Sequence, residues 1–480
     1  MTLPDGPRTP KYLRFFRILK LVLRPLDYLE NYAQRYGDIF KIGGENSPPF
    51  VYVSNPQAIK EIFTADPDQF ESGRGNGVLR FLLGDRSLML LDGEPHQRQR
   101  RLLMPPFHGD RLRIYSQLIC DITEQVTHQW AIGSPFLIRA PMQEITLRVI
   151  LQAVFGLHQG ERLQQLRRLI NTLQDSFDSP LSSSLLFFGF LRKDWGPLSP
   201  WGRFLRLKQQ VRDLIYDEIR ERRAEMQMSE ASQPNRTDIL SLLMMARDEA
   251  GQPMADEELQ DELLTLLIAG HETTASASVW ALYWVLHLPE VEQKLRQELD
   301  SLGDRPNPSD IAQLPYLTAV CQETLRIYPV APNTFIRVLK APMAILGYQF
   351  ETGTALLPSI YLVHQRQDLY PDPQRFDPER FLKRQYTPYE YLPFGGGARR
   401  CLGAALAQLE MKLVIATILK HFQLALPQNR RLKPVRRGLT FAPPGNMRMV
   451  VAQKRPSATY SGLHLQKTQG LQHTSDRSHP

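Results

Sequence analysis

Cys401 ends a glycine-rich loop, a setting that favours a reactive thiolate. The segment reads Phe394-Gly395-Gly396-Gly397-Ala398-Arg399-Arg400-Cys401-Leu402-Gly403. Three successive glycines permit backbone shapes other residues avoid and let a flat ligand approach closely. Cys401 is expected to open a helix running from Leu402 to Phe422, where the helix dipole and free N–H groups favour the thiolate. Arg399 and Arg400 add positive charge beside it. Thiolate is the form that ligates metal. Two other chemistries use similar loops. A phosphate cradle of the Walker type ends in Lys-Ser/Thr, which is absent here. A catalytic nucleophile needs a base, and no His or Asp motif presents one.

Further residues have spacings that could support chemistry. Ala269-Gly270-His271-Glu272-Thr273-Thr274 places a glycine and two threonines inside an otherwise helical pattern, where their propensity is poor. Threonine can bond back to the i−4 carbonyl and bend the helix. The segment is either a packing notch or a functional widening. The His-Glu pair resembles half of a zinc hydrolase motif, but a second histidine would have to stand at Ala275. Glu323 and Arg326 are three apart on a predicted helix and can pair. His96 and Arg100 are four apart on one face of another, which a solvated basic face would also explain.

These residues need elements to hold them. The period from Pro95 to about Asp300 is mostly helical. Asp256 to Leu288 reads as one long helix, with Asp256 as its cap, Glu257 and Glu258 at its positive end and Pro289 closing it. Its 1.5 Å rise per residue gives roughly 48 Å, enough to cross a whole domain. Further helices are predicted from Pro289 and from Ser309. Asp38 to Ile42 and Phe50 to Val53 read as strands, and Val330 to Phe381 as short strands, turns and proline-rich loop. Leu181 to Pro200 interrupts the helices and carries the apolar run Leu185 to Phe190, which is either core or a hydrophobic patch at a substrate or membrane access point.

Composition narrows the class. The chain has 480 residues and a net charge of +8, from 58 basic and 50 acidic side chains. That excess is mild. It permits an acidic protein partner or an anionic membrane surface, and lacks the basic stripe of a nucleic-acid binder. Three unpaired-looking cysteines, Cys120, Cys321 and Cys401, argue against a disulfide framework and fit a reducing cytosol. Cys120 and Cys321 read as buried apolar residues. No signal peptide or transmembrane run is visible, so a cytoplasmic protein is expected. Residues 1–24 form a basic amphipathic arm: Lys11, Arg14, Arg17, Lys20 and Arg24 recur every three or four residues among aromatic and aliphatic ones. Such an arm lies on a membrane surface or packs on its own domain. Residues 456–480 are polar and aperiodic, and disorder is expected there.

The cysteine loop also resembles a known family. Phe394, Gly397, Arg399, Cys401 and Gly403 match every defined position of the signature Phe-x-x-Gly-x-Arg-x-Cys-x-Gly of the cytochrome P-450 superfamily. Glu323-Thr324-Leu325-Arg326 matches its Glu-x-x-Arg, and Pro378-Glu379-Arg380-Phe381 its Pro-Glu-Arg-Phe segment. Ala269 to Thr274 matches its oxygen-activation segment. The motifs fall in the family's order. The resemblance covers residues 25–455 as one heme domain, overriding a length-based prior of several domains.

The resemblance implies a mainly α fold with small β-sheets, a single triangular-prism domain with the long helix lying over heme b (iron protoporphyrin IX). It implies that Cys401 ligates the iron, with Phe394 packed beside the sulfur. Arg399, His96, Arg100 and Arg337 would meet the propionates, which need such donors when buried. Thr273 and Glu272 would serve oxygen activation and proton relay, and Glu323, Arg326 and Arg380 would form a buried structural triad. The implied activity is monooxygenation, with the thiolate favouring O–O cleavage. A peroxygenase or isomerase, or a non-catalytic heme sensor, fits less well, because Glu272 and Thr273 are both present. No flavin or iron–sulfur domain is recognisable, so electrons are expected from a ferredoxin and its reductase, docking on Arg399, Arg400, Lys383 and Arg384. Phe81 to Leu83 (a loop), Leu185 to Phe190, Leu264 to Ile268 and Val330 to Pro332 would line an apolar pocket. The chain is similar to bacterial branches that hydroxylate long-chain fatty acids or alkanes, with a terpenoid as the alternative. A monomer is expected, with peripheral membrane contact through the arm and no nucleic-acid partner.

Overall fold

The computed structural model describes residues 3–7, 19–20, 23–42, 49–109, 111–157, 160–176, 192–196, 199–228 and 236–455. Most of the arm from Lys11 to Arg24, the run Leu185 to Phe190 and the tail from Pro456 lie outside these residues.

Helices dominate and the sheets are small, as the resemblance implies. The central helix is Asp256–His287, 32 residues. From Thr274 to Leu286 every residue is buried, and a helix apolar on all sides must be enclosed by others. It packs along Arg139–Phe155, Pro200–Met228, Pro315–Ile327 and Ala404–His421. Leu288 is extended because it precedes Pro289, which ends the helix there and starts Pro289–Asp300. The start differs from expectation. Ala255 occupies the cap position, and Glu258 reaches back to accept its N–H at 2.9 Å. Asp256 instead receives Arg223 Nε at 2.6 Å. The helix expected from Ser309 is two, Pro308–Gln313 and Pro315–Ile327, because Pro315 interrupts it.

One sheet positions a candidate residue. Its strand order is Ile39–Ile42, Phe50–Val53, Ala355–Pro358, Arg337–Val338. Phe50 pairs with Ala355 in parallel, and Arg337 opposes Leu356 antiparallel. Within the expected stretch of short strands from Val330 to Phe381, this strand is only Arg337–Val338. In that register Phe335 would face Pro358, which has no N–H to continue the ladder. Cys120 and Cys321 are buried in helices, as expected.

Candidate active site

The cysteine loop is shaped by what lies beneath it. Gly396 touches the Phe63 ring so closely that a Cβ there would come within 2.2 Å of it. Gly397 has φ +62°, and its Cβ would lie 2.7 Å from the Phe63 carbonyl. Phe63 lies in the last turn of the helix Pro56–Thr64, so this helix is the seat of the loop. The Cys401 N–H donates to the Phe394 carbonyl at 3.0 Å and closes the loop on itself.

Cys401 does not open the following helix. That helix begins at Ala404, after a turn at Leu402 and Gly403. The local positive field still reaches the sulfur, because the Gly403 N–H, Arg100 and Arg400 each favour the thiolate. Arg399, expected beside the sulfur, turns elsewhere. Burial outweighs the favourable groups and pushes the thiol pKa up. The residue nevertheless keeps exposed surface. Thiolate is the form a metal ligand requires, and a cation bound at the sulfur would favour it further.

Arg100 also belongs to a strongly cationic cluster. His96 is 3% exposed, and its pKa falls to about 3 through burial and the charges of Arg399, Arg100 and Arg337. Burial and neighbouring arginine charge also pull Arg337 down to about 9. Arg399 falls to about 10 through burial and Arg100, although Asp92 opposes this. The Arg399 guanidinium donates to Asp92 Oδ1 at 2.6 Å and, through Nη1, to the Leu88 carbonyl at 3.1 Å. Arg337 Nη2 donates to the Gly396 carbonyl at 3.3 Å, and Arg100 Nη1 to the Arg400 carbonyl at 2.9 Å. Three guanidiniums against one carboxylate, that of Asp92, leave an excess of two positive charges. Buried charge of that kind calls for a dianion. The donor set therefore fits heme: one sulfur for iron, and cations for two propionates. His96, Arg337, Gly397 and Arg399 line one shared cavity.

On the central helix, Thr273 Oγ1 donates to the Ala269 carbonyl at 2.6 Å, the i−4 bond anticipated from sequence. Glu272 is turned toward the helix Arg139–Phe155. Arg139 Nη2 donates to Glu272 Oε1 at 2.9 Å and Gln143 Nε2 to Oε2 at 2.7 Å. One turn further, Thr146 Oγ1 lies 2.9 Å from Nδ1 of His271, which is fully buried with its pKa lowered to about 3 by burial and Arg139.

The structural triad assembles in full. Glu323 and Arg326 have no exposed surface and Arg380 has 8%. Arg326 Nε donates to Glu323 Oε2 at 2.6 Å, and Arg380 Nε to Oε1 at 3.1 Å. The Asp377 N–H also donates to Oε1, and Arg326 caps the His364 carbonyl, so each nitrogen and oxygen of the Glu323–Arg326 pair has a partner.

The expected pocket segments converge only in part. Phe81 to Leu83 is a helical turn, not a loop. Phe81 and Leu82 pack with Leu173, Trp201, Phe204 and Ile268. Val330, Phe394 and Leu402 are partly buried against the main core, and the Phe441 N–H donates to Val330 at 2.7 Å. Leu264 is fully buried. Of the expected docking residues, Lys383, Arg384 and Arg400 are exposed, while Arg399 is buried in its contact with Asp92 and drops out.

The sequence reading missed Asp92, Phe63, Arg139 and Gln143. Asp92 precedes a helix and looks like a cap. Its carboxylate instead accepts from the Gly73 N–H and from Arg399. The others carry no local signal, since their partners lie far away in the chain.

The comparisons agree with this geometry. The family profile "Cytochrome P450" matches residues 5–449. A protein of Mycobacterium tuberculosis named "Putative cytochrome P450 135B1" is 36% identical over 455 residues, covering 95% of this chain and 92% of the relative. Another, "Putative cytochrome P450 138" of Mycobacterium bovis, is 33% identical, covering 94% and 97%. The solved structure "Retinoic acid bound cyanobacterial CYP120A1" superposes with a TM-score of 0.78 at 26% identity, covering 95% of this chain and all of that one. The chain belongs to the cytochrome P450 family, and with membership come heme b, a small-molecule substrate, redox partners and a monooxygenase reaction that incorporates oxygen.

Proposed function

We propose that this monooxygenase hydroxylates a long-chain fatty acid or alkane at a heme held by Cys401. The observation that carries the reading is Cys401, exposed beside Arg100 and Arg400, with Arg100 shared by the cationic cluster of His96, Arg399 and Arg337. Cys401 would supply the sulfur that holds the iron, with Phe394 beside it. Arg399, Arg337, Arg100 and His96 would hold the propionates, with His96 neutral and able to donate one ring N–H. When bound, heme supplies dioxygen activation and insertion of one oxygen atom into a C–H bond.

The chain's own residues position and protonate. Thr273 Oγ1 already spans to the Ala269 carbonyl, so its hydroxyl can hold a water in the helix groove. Glu272 can take up and pass a proton once it swings away from Arg139 and Gln143. Ile268, Val330, Phe394 and Leu402 offer only hydrocarbon, which excludes water and suits an apolar substrate. Glu323, Arg326 and Arg380 hold the core near the cysteine loop.

Electrons would come from a ferredoxin and its reductase, steered by Lys383, Arg384 and Arg400. Among the described residues no helix is long and apolar enough to cross a membrane. A cytoplasmic chain with peripheral membrane contact through its N-terminal arm is consistent with that. A monomer with no nucleic-acid partner completes the reading.

One observation favours a second substrate class. The 26%-identical relative was solved with retinoic acid, an isoprenoid chain ending in a carboxylate. A screen of fatty acids, alkanes and terpenoid acids by heme spin-state shift separates the two. Shifts with saturated chains support the first class, and shifts confined to terpenoid acids replace it with the second.

A further inference from the structure

A fully buried acid on the central helix takes no part in the chemistry described above. Glu262 is 1% exposed and lies eleven residues before Thr273, roughly 16 Å away along the helix axis. It touches no reacting atom. Its Oε1 accepts two hydrogen bonds, from the Leu88 N–H and from Gln99 Nε2, each at 2.5 Å. Both donors lead to the cationic cluster. The Leu88 carbonyl accepts from Arg399. Gln99 shares a helix face with His96 and adjoins Arg100.

We propose that Glu262 is a positioning residue for the cofactor edge, fixing Leu88 and Gln99 so that Arg399, His96 and Arg100 stand where the propionates need them. The proposal rests on the reading of those three residues as propionate donors. Leu88 is gripped from two sides, by Glu262 at its N–H and by Arg399 at its carbonyl. The flanking chain is pinned to the same helix. The Arg86 N–H donates to Asp261 Oδ2 at 2.9 Å, and Thr265 Oγ1 to Ser87 Oγ at 2.9 Å. Gln99 Nε2 also donates to the Arg86 carbonyl at 2.8 Å, tying this segment to the helix that bears His96. The segment then continues to Leu91 and Asp92, the other two acceptors of Arg399.

Burying a carboxyl is costly, and a leucine would fill the same space at no such cost. What the carboxyl adds is direction, because one oxygen aimed at two donors fixes both in place. Burial pushes the Glu262 pKa up to about 8, so the group is largely neutral near pH 7 and holds its donors without a counterion. The arrangement matches the way outer residues orient the direct ligands of a bound centre.

The test uses the heme-loaded protein and reads heme transfer to apomyoglobin and the iron midpoint potential, beside thermal stability. Glu262→Ala should speed heme transfer by about 10- to 100-fold. It should move the potential in the same direction as Arg399→Gln. Glu262→Gln keeps an acceptor oxygen and should restore both values. Glu218→Gln disturbs a separate buried network with Arg222 and should lower only the thermal midpoint. Should Glu262→Ala fail to fold, Gln99→Leu removes one arm and should shift both readouts partway. The proposal is overturned when Glu262→Ala, or Gln99→Leu in its place, behaves like Glu218→Gln while Arg399→Gln moves both readouts. A silent Arg399→Gln overturns instead the propionate assignment beneath it.

Discussion

The Glu272 carboxylate sits 2.9 Å from Arg139 Nη2, so the acid beside Thr273 is held against the neighbouring helix. The proton relay proposed for Glu272 then requires this contact to loosen. Glu272→Gln should lower turnover by roughly 100-fold, the scale of a lost general acid. Arg139→Gln should leave heme binding intact and change turnover less than Glu272→Gln does. Stopped assays that count product and peroxide per electron pair check both. Equal losses in the two variants would assign Arg139 a structural role in place of a gating one.

The buried triad gives a sharper stability prediction. Arg326→Ala leaves Glu323 charged in a site with no exposed surface. Removing one partner of such a pair costs about 3–5 kcal/mol. Denaturant unfolding should show that loss, and little folded protein should accumulate.

The loop seat can be tested by a paired change. Gly396→Ala drives a methyl into the Phe63 ring and should cost about 1–3 kcal/mol, with loss of the thiolate spectrum. Phe63→Ala in the same chain makes room and should restore the spectrum in part. A Gly396→Ala protein with unchanged spectrum and stability would show that the seat yields freely.

Glu262 sets a pH dependence whose sign is fixed. Its folded pKa of about 8 lies above the ordinary value of 4.5. The folded state therefore keeps a proton that the unfolded chain has already released. Its contribution to stability is whole below about 4.5, shrinks as pH rises, and is gone above about 8. The cause is burial, reinforced by Asp261 and Glu258, and partly offset by the Leu88 and Gln99 donors. Unfolding free energies between pH 5 and 8 should fall more steeply in the wild type than in Glu262→Gln. Parallel curves would remove Glu262 from the account.

Local patterns were legible in the sequence, and long-range pairings were not. The central helix announced its end through Pro289, and Glu323 with Arg326 announced itself through helical spacing. The fold and the location of Cys401 followed from a spaced motif. The partner of Arg399 did not, because Asp92 lies 307 positions away and looks like a helix cap. Arg139 is 133 positions from Glu272, and only packing of the two helices brings them together. Glu262 reads as one acid among several at a helix start, and its burial is decided by the segment that folds over it. The first turn after Cys401 was misread because the helix and the loop compete for the same residues, Leu402 and Gly403.

The central claim is that the Cys401 thiolate ligates iron, and one spectrum tests it most directly. The reduced, carbon-monoxide-bound protein should show the red-shifted Soret band of thiolate ligation, and Cys401→His should abolish that shift while heme remains bound. A heme-loaded wild type without the red shift, or a Cys401→His variant that keeps it, would contradict the account.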